Sequence, residues 1–230
     1  MTVAFRESNA VDIVGLKSFL RAKLEANPLL SRLEEMTRNG TSTAGRRHEE
    51  VFTREFLSPS ISDFFYKHVR PELNLTDAQI AEGLGAEGYK NCHGFGFTPA
   101  RKLKHLFTKS DVIEDSAPTA WRVAEIGGLP GYHACPDFAI TSPLPFSLVG
   151  EVKYFKLNSP ESGVRELYNV SRQAVFYLGA FHGTYRSAII VVVDASSNHS
   201  FFEALKLVKP ELLERFGSET DIHLLPIKLT

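Results

Sequence analysis

Residues 146–155 read FSLVGEVKYF, a run of mostly apolar residues, rich in β-branched and aromatic side chains, that predicts a β-strand. Side chains two positions apart share one face of a strand, so Glu151 and Lys153 are expected to point one way and Val152 and Tyr154 the other. Charged groups in an apolar strand are costly to bury unless they are paired or bind an ion. The pattern therefore indicates a functional site on one face of this strand.

A second strand is predicted immediately before the first. Residues 132–141 read YHACPDFAIT, which places Phe138 and Ile140 on one face of a strand and Asp137 on the other. Two prolines punctuate the connection between the runs, as expected for a hairpin. Pairing the two strands would bring Asp137 beside Glu151.

The chemistry of these side chains suits a hard divalent cation. Asp137 and Glu151, with a backbone carbonyl such as that of Val152 and several waters, would form a suitable Mg²⁺ shell, and Mn²⁺ is expected to substitute. A bound metal lowers the pKa of its water and stabilises charge on a phosphoryl group. Lys153 would orient or activate the attacking water, or neutralise the scissile phosphate. The site therefore favours phosphodiester hydrolysis.

The residues Pro136-Asp137 and Glu151-Val152-Lys153 resemble the PD-(D/E)XK nuclease superfamily, the fold of many restriction endonucleases and of RecB-like exonucleases. The resemblance covers about residues 44 to 195. It implies an α/β protein with a restriction-endonuclease-like core, in which a mixed β-sheet is flanked by helices and preceded by a helical N-terminal region. The alternative for these residues is an exposed hairpin face that carries a solvated Glu–Lys pair.

A third carboxylate is expected on a helix before the first core strand, as members of the superfamily often have one there. Residues 44–57 are helical by pattern, and a separate helix is predicted to start after Ser60 and to reach Pro71. At 100° per residue, Glu49 falls close to Phe52 and Phe56 on the buried side, whereas Glu50 points away. Glu49 is therefore the candidate that supports the site, and the alternative is a surface glutamate.

The helix predicted at residues 161–181 adds two candidates. Gln173 and Tyr177 stand at i and i+4, which is similar to the Gln-x-x-x-Tyr element of RecB-like nucleases. That resemblance implies that Gln173 holds a DNA phosphate or positions Lys153, and the alternative is a boundary glutamine beside a core tyrosine. The adjacent Arg172 is a candidate for phosphate contact, although a lone arginine on a helix is commonly solvated.

Length and composition fit one globular domain of 230 residues, with a mainly helical region at 1–84, a loop and basic segment at 85–120 and an α/β catalytic core at 121–230. The net charge of −1 argues against a uniformly basic coat protein but allows a local basic channel. The candidate phosphate-binding residues of the basic segment are Arg101, Lys102, Lys104 and Lys109.

The predicted function is that of a Mg²⁺-dependent DNA endonuclease, similar to type II restriction enzymes. Its expected partner is double-stranded DNA, and a homodimer is expected because two-fold symmetry matches the two strands of a duplex. No membrane segment or signal peptide is visible, so the cytoplasm is the expected compartment. Two alternatives stay open: a RecB-like repair or phage exonuclease, and a non-catalytic nucleic-acid-binding module that keeps the fold.

Overall fold

The computed structural model describes residues 11–38, 45–84, 137–140, 142–180, 185–209, 211 and 219–229. In this part of the chain the fold is α/β, with a mixed four-stranded sheet and helices against both of its faces. The predicted α/β class is therefore confirmed. The loop and basic segment predicted at 85–120 lies outside the described residues.

The sheet has the order β1-β2-β3-β4, in which β1 pairs antiparallel with β2, and β2, β3 and β4 run parallel. The helices before it are α1 (Ile13–Glu25), α2 (Leu33–Arg38), α3 (Gly45–Phe52), α4 (Ser58–Phe64), α5 (Arg70–Leu73) and α6 (Asp77–Gly83). The remaining elements are β1 (Phe138–Ile140), β2 (Leu148–Phe155), α7 (Pro160–Ala180), β3 (Ser187–Asp194), α8 (Ser200–Lys206) and β4 (Ile222–Lys228). None of the described helices is both long enough and apolar enough to cross a membrane.

The helical path from residue 45 to residue 73 does not end at its prolines, although the sequence pattern predicts a break near Pro59 and an end at Pro71. A widened π-type turn precedes each proline, at Thr53–Leu57 and Phe65–Val69. In both turns the N–H of the residue just before the proline donates to the carbonyl five residues earlier. The wider turn makes room for a ring that clashes with the carbonyl four residues back in a regular α-helix. The predicted break was therefore wrong.

The sheet separates two clusters of buried side chains. The first joins the N-terminal helices to one face of the sheet, and its members include Leu16, Phe52, Ile61, Phe138, Val152 and Val191. The second lies under α7 and α8, and its members include Ala139, Val149, Phe155, Val170, Val192 and Phe201. Every residue of β3 is buried, as the continuous apolar run at 187–194 predicts.

A close approach between Phe138 and Gly150 fixes the β1–β2 hairpin. The two residues are directly paired, and a Cβ atom on Gly150 would lie 2.0 Å from Cζ of Phe138. Only glycine leaves space for the ring at this position. The backbone N–H of Asp137 donates to the carbonyl of Gly150 over 2.9 Å, so the same register places Asp137 beside β2.

Candidate metal centre

Carboxylates accept the backbone N–H groups along one edge of β2. In the described part of the chain, β1 pairs with residues 148–150 of β2 only. The next two N–H groups on the same edge of β2, those of Val152 and Tyr154, donate to side chains instead. Oδ2 of Asp137 accepts the N–H of Val152 over 2.7 Å, and Oε1 of Glu49 accepts the N–H of Tyr154 over 3.1 Å. The helix α3 and the hairpin therefore deliver one carboxylate each to the same strand edge.

The backbone carbonyl of Val152 faces this edge as well. The N–H and C=O of a strand residue point to the same side of the strand, and the N–H of Val152 is bonded to Asp137. The carbonyl oxygen of Val152 is thus directed towards the side of β2 where Asp137 lies. This is the orientation that its predicted use as a metal ligand requires.

Glu151 and Lys153 share one face of β2, as the strand pattern predicts. Nζ of Lys153 donates to Oε1 of Glu151 over 2.5 Å, and Glu151 is only 6% exposed. Val152 and Tyr154 pack instead in the core on the opposite face. The burial of Glu151 excludes the alternative of a solvated pair on an exposed hairpin.

Three ionisable side chains of the site, Asp137, Glu49 and Lys153, have pKa values that are moved from their usual range. Burial and the neighbouring carboxylate of Glu151 raise the pKa of Asp137 well above its usual range. Burial also raises the pKa of Glu49, against the opposing effect of Lys153. Burial disfavours the charge on Lys153, but Glu151 and Glu49 outweigh it and raise the pKa of its ammonium. Negative charge is therefore gathered around one ammonium, which is an environment that a cation would stabilise.

Of the three carboxylates at the site, Asp137 and Glu151 are the two that the sequence predicts as metal ligands. Within the described residues, no three His, Cys, Asp or Glu side chains are placed so that they could hold one ion together. Asp137 and Glu49 each accept one backbone N–H of β2, from Val152 and from Tyr154 respectively. Two carboxylates, one carbonyl and waters fit Mg²⁺, which retains several waters when it binds to proteins.

Glu166, in α7, is a further acidic neighbour of the site that the sequence pattern did not single out. Its carboxylate lies near enough to Glu49 to raise the pKa of that group. Gln173 follows it by seven residues, or about two helical turns, so the two positions occupy the same side of α7. That spacing is the signal that could have identified Glu166. The side chain of Gln173 lies outside what the structure describes, and its role stays a prediction.

Arg172 occupies a different side of α7. It is exposed, and its guanidinium carbon lies 6.0 Å from the centre of the Tyr168 ring. Six residues separate it from Glu166, which corresponds to about 120° around the helix. Arg172 therefore does not lie on the side of α7 that carries Glu166, the residue of this helix that neighbours the site. Its contact with phosphate stays a prediction. The other candidate phosphate-binding residues, Arg101, Lys102, Lys104 and Lys109, lie outside the described residues.

Comparisons with known proteins assign the chain to no family. No family model matches it, and no curated protein or solved structure matches it significantly.

Proposed function

We propose that this protein is a Mg²⁺-dependent endonuclease that hydrolyses phosphodiester bonds in DNA. The observation that carries the proposal is that Asp137 lies at one edge of β2 beside the buried Glu151 and Lys153 of the same strand, with the carbonyl of Val152 directed to that edge. Placing the buried Glu151 and the partly buried Asp137 beside a single ammonium has an energetic cost, and binding a divalent cation offsets it.

The residues have separate roles in the proposed reaction. Asp137, Glu151 and the carbonyl of Val152 would hold the metal. When bound, Mg²⁺ supplies a water of lowered pKa and stabilises charge on the phosphoryl group. The ammonium of Lys153, held by Glu151, is placed to orient the attacking water or to donate to a phosphate oxygen. Glu49 and Gln173 would support the site from α3 and α7.

The order of elements supports a restriction-endonuclease-like core. A hairpin that carries Asp137 and Glu151 leads into α7, and α7 leads into β3, which is buried along its whole length. We propose that the described sheet is that core and that the substrate is double-stranded DNA. We further propose a homodimer, because a two-fold protein matches the symmetry of a duplex. Light scattering with and without a DNA duplex measures the oligomeric state.

Purified protein and plasmid DNA test the activity. We expect discrete fragments with Mg²⁺ or Mn²⁺, no cleavage with EDTA, and no cleavage by Glu151→Ala or Lys153→Ala. Glu203→Gln is the matched control, because Glu203 forms an exposed ion pair with Lys206 at a distance of 2.7 Å in α8. This control should cleave as the wild type does.

The pattern of products separates the alternatives. Progressive loss from DNA ends would identify an exonuclease, and an RNA substrate that is cut in place of DNA would change the substrate class. If the wild type and both site variants bind DNA equally and none cuts DNA or RNA, the protein is a binding module and the endonuclease proposal is wrong.

A further inference from the structure

A polar cluster lies on the face of β2 opposite to the candidate metal centre. We call it the Tyr154 cluster, and it consists of Tyr154, His48, Glu34 and Lys156. The phenol of Tyr154 donates to Oε1 of Glu34, and Nζ of Lys156 donates to the same oxygen over 2.8 Å. Nε2 of His48 lies 3.8 Å from Oε2 of Glu34. The carboxylate of Glu34, on α2, thus faces three partners, which come from α3, from β2 and from the residue that follows β2.

The ring of Tyr154 also holds the residue that precedes Glu49. The rings of His48 and Tyr154 are stacked, with their centres 4.3 Å apart and an angle of 17° between their planes. The backbone N–H of the same tyrosine donates to Oε1 of Glu49. Two consecutive residues of α3 are therefore held by one residue of β2, one through its ring and the other through its backbone.

We propose that the Tyr154 cluster positions Glu49 against the edge of β2, so that His48, Glu34 and the phenol of Tyr154 are positioning residues for the metal centre. The proposal rests on the proposed function for its effect on catalysis. Its structural part, the placement of Glu49 on the N–H of Tyr154, stands without that function.

Physical reasons favour a positioning role over simple packing. A glutamate loses much of its rotamer freedom when it is fixed, so a helix that is already held in place lowers the cost of aiming Glu49. Apolar side chains would attach α2 and α3 to β2 at least as strongly as a network of hydrogen bonds and charges. Hydrogen bonds and stacking add direction, because they specify the distance and orientation of α3 and α2 relative to β2.

Amide hydrogen exchange tests the placement without any assay of activity. In His48→Ala and Glu34→Ala, we expect the amide of Tyr154 to exchange about tenfold faster, since its acceptor on Glu49 is no longer fixed. The amide of Val152, held by Asp137, should exchange at the wild-type rate. Glu34→Gln retains an acceptor for Tyr154 and should restore most of the protection. Unchanged protection at Tyr154 in both alanine variants would overturn the proposal.

A double-mutant cycle tests the effect on catalysis. Tyr154→Phe removes the bond to Glu34 but retains the ring, and we expect it and His48→Ala each to lower the cleavage rate about tenfold. In a Glu49→Gln background the same changes should cause little additional loss, because they act through Glu49. The matched controls are Tyr66→Phe, at an exposed tyrosine, and Glu35→Gln, at the exposed partner of Arg32.

The outcomes separate the two proposals. Equal losses in the wild-type and Glu49→Gln backgrounds would show that the cluster does not act through Glu49. If the wild type neither binds Mn²⁺ nor cuts nucleic acid, the proposed function fails, and the exchange of the Tyr154 amide still decides whether the cluster places Glu49.

Discussion

Asp137 and Val152 are joined by a bond between a carboxylate and a backbone N–H, at 2.7 Å, across 15 residues of sequence. This bond favours the charged form of Asp137, but burial and the nearby Glu151 oppose that charge more strongly and raise its pKa. Asp137 is therefore a carboxylate that destabilises the metal-free fold when it is ionised. That property is common at functional sites, where stability is lost for the sake of activity.

Replacing Asp137 with asparagine should stabilise the metal-free protein. An amide oxygen can still accept the N–H of Val152, while the buried charge and its repulsion from Glu151 are removed. We expect Asp137→Asn to raise the free energy of unfolding by about 1 kcal/mol at neutral pH in EDTA, measured by urea denaturation. Asp77→Asn, at the exposed partner of Arg70, is the control and should not gain stability.

The gain should depend on pH with a defined sign. A carboxyl whose pKa is raised by folding binds its proton more tightly in the native state, so the wild type loses stability as pH rises from the usual carboxyl range through the raised pKa. The stabilities of Asp137→Asn and the wild type should therefore converge in acid and separate as pH increases. If the free energies of unfolding of the two proteins ran parallel as a function of pH, the pKa of Asp137 would not be raised by folding.

Replacing Lys153 should leave metal binding intact, whereas replacing the metal-binding carboxylate of Glu151 should abolish it. Lys153→Met leaves Glu151 buried without its ammonium, so we expect metal-free stability to fall by about 3 kcal/mol. Since both ligand carboxylates remain, Mn²⁺ should still raise the melting temperature of Lys153→Met, whereas it should have little effect on Glu151→Gln. Cleavage should be lost in both variants. Thermal melts over a Mn²⁺ titration measure the difference, and Lys206→Met is the matched control.

Strand parity was sufficient to predict much of the site. A period of two placed Glu151 with Lys153 and separated Asp137 from Phe138, and the structure has both arrangements. The helical phase of α3 likewise favoured Glu49, whose oxygen is bonded to β2. Local periodicity determines these relations, since it fixes which side of an element each residue occupies.

Relations between distant elements could not be predicted in the same way. The bonds from Tyr154 to Glu49 and Glu34 join residues 105 and 120 positions apart, and no local pattern specifies which helix packs beside β2. The continuation of the helix past Pro59 could not be predicted for another reason. A widened turn absorbs the proline, whereas local propensity predicts a break there.

Gly150 should be intolerant of even a methyl group. A Cβ atom would overlap the ring of Phe138, so Gly150→Ala should cost about 1–3 kcal/mol through displacement of β1, and with it Asp137. Combining it with Phe138→Ala removes the clash, so the added cost of the alanine at 150 should largely disappear. Chemical denaturation of the four proteins in this cycle measures the coupling. Strictly additive costs would argue against the close approach.

Replacing Asp194 with asparagine should lower the stability of the protein, whereas the same change at Asp137 should raise it. Asp194 is fully buried at the end of β3, where Oδ1 accepts the N–H and hydroxyl of Ser196, and Oδ2 accepts the N–H groups of Phe201 and Phe202. Asparagine has one acceptor oxygen, so its amide nitrogen would face donors.

We expect Asp194→Asn to lower the free energy of unfolding by about 2 kcal/mol. Its midpoint for Mn²⁺ should match that of the wild type, because the donors that Asp194 meets in the described part of the chain are backbone N–H groups and a serine hydroxyl. Urea denaturation with and without Mn²⁺ compares it with Asp137→Asn. Asp137→Asn is predicted to gain stability and to lose Mn²⁺ binding, whereas Asp194→Asn should lose stability and still bind Mn²⁺. A gain in stability for both variants would contradict this division between a metal-binding and a structural aspartate.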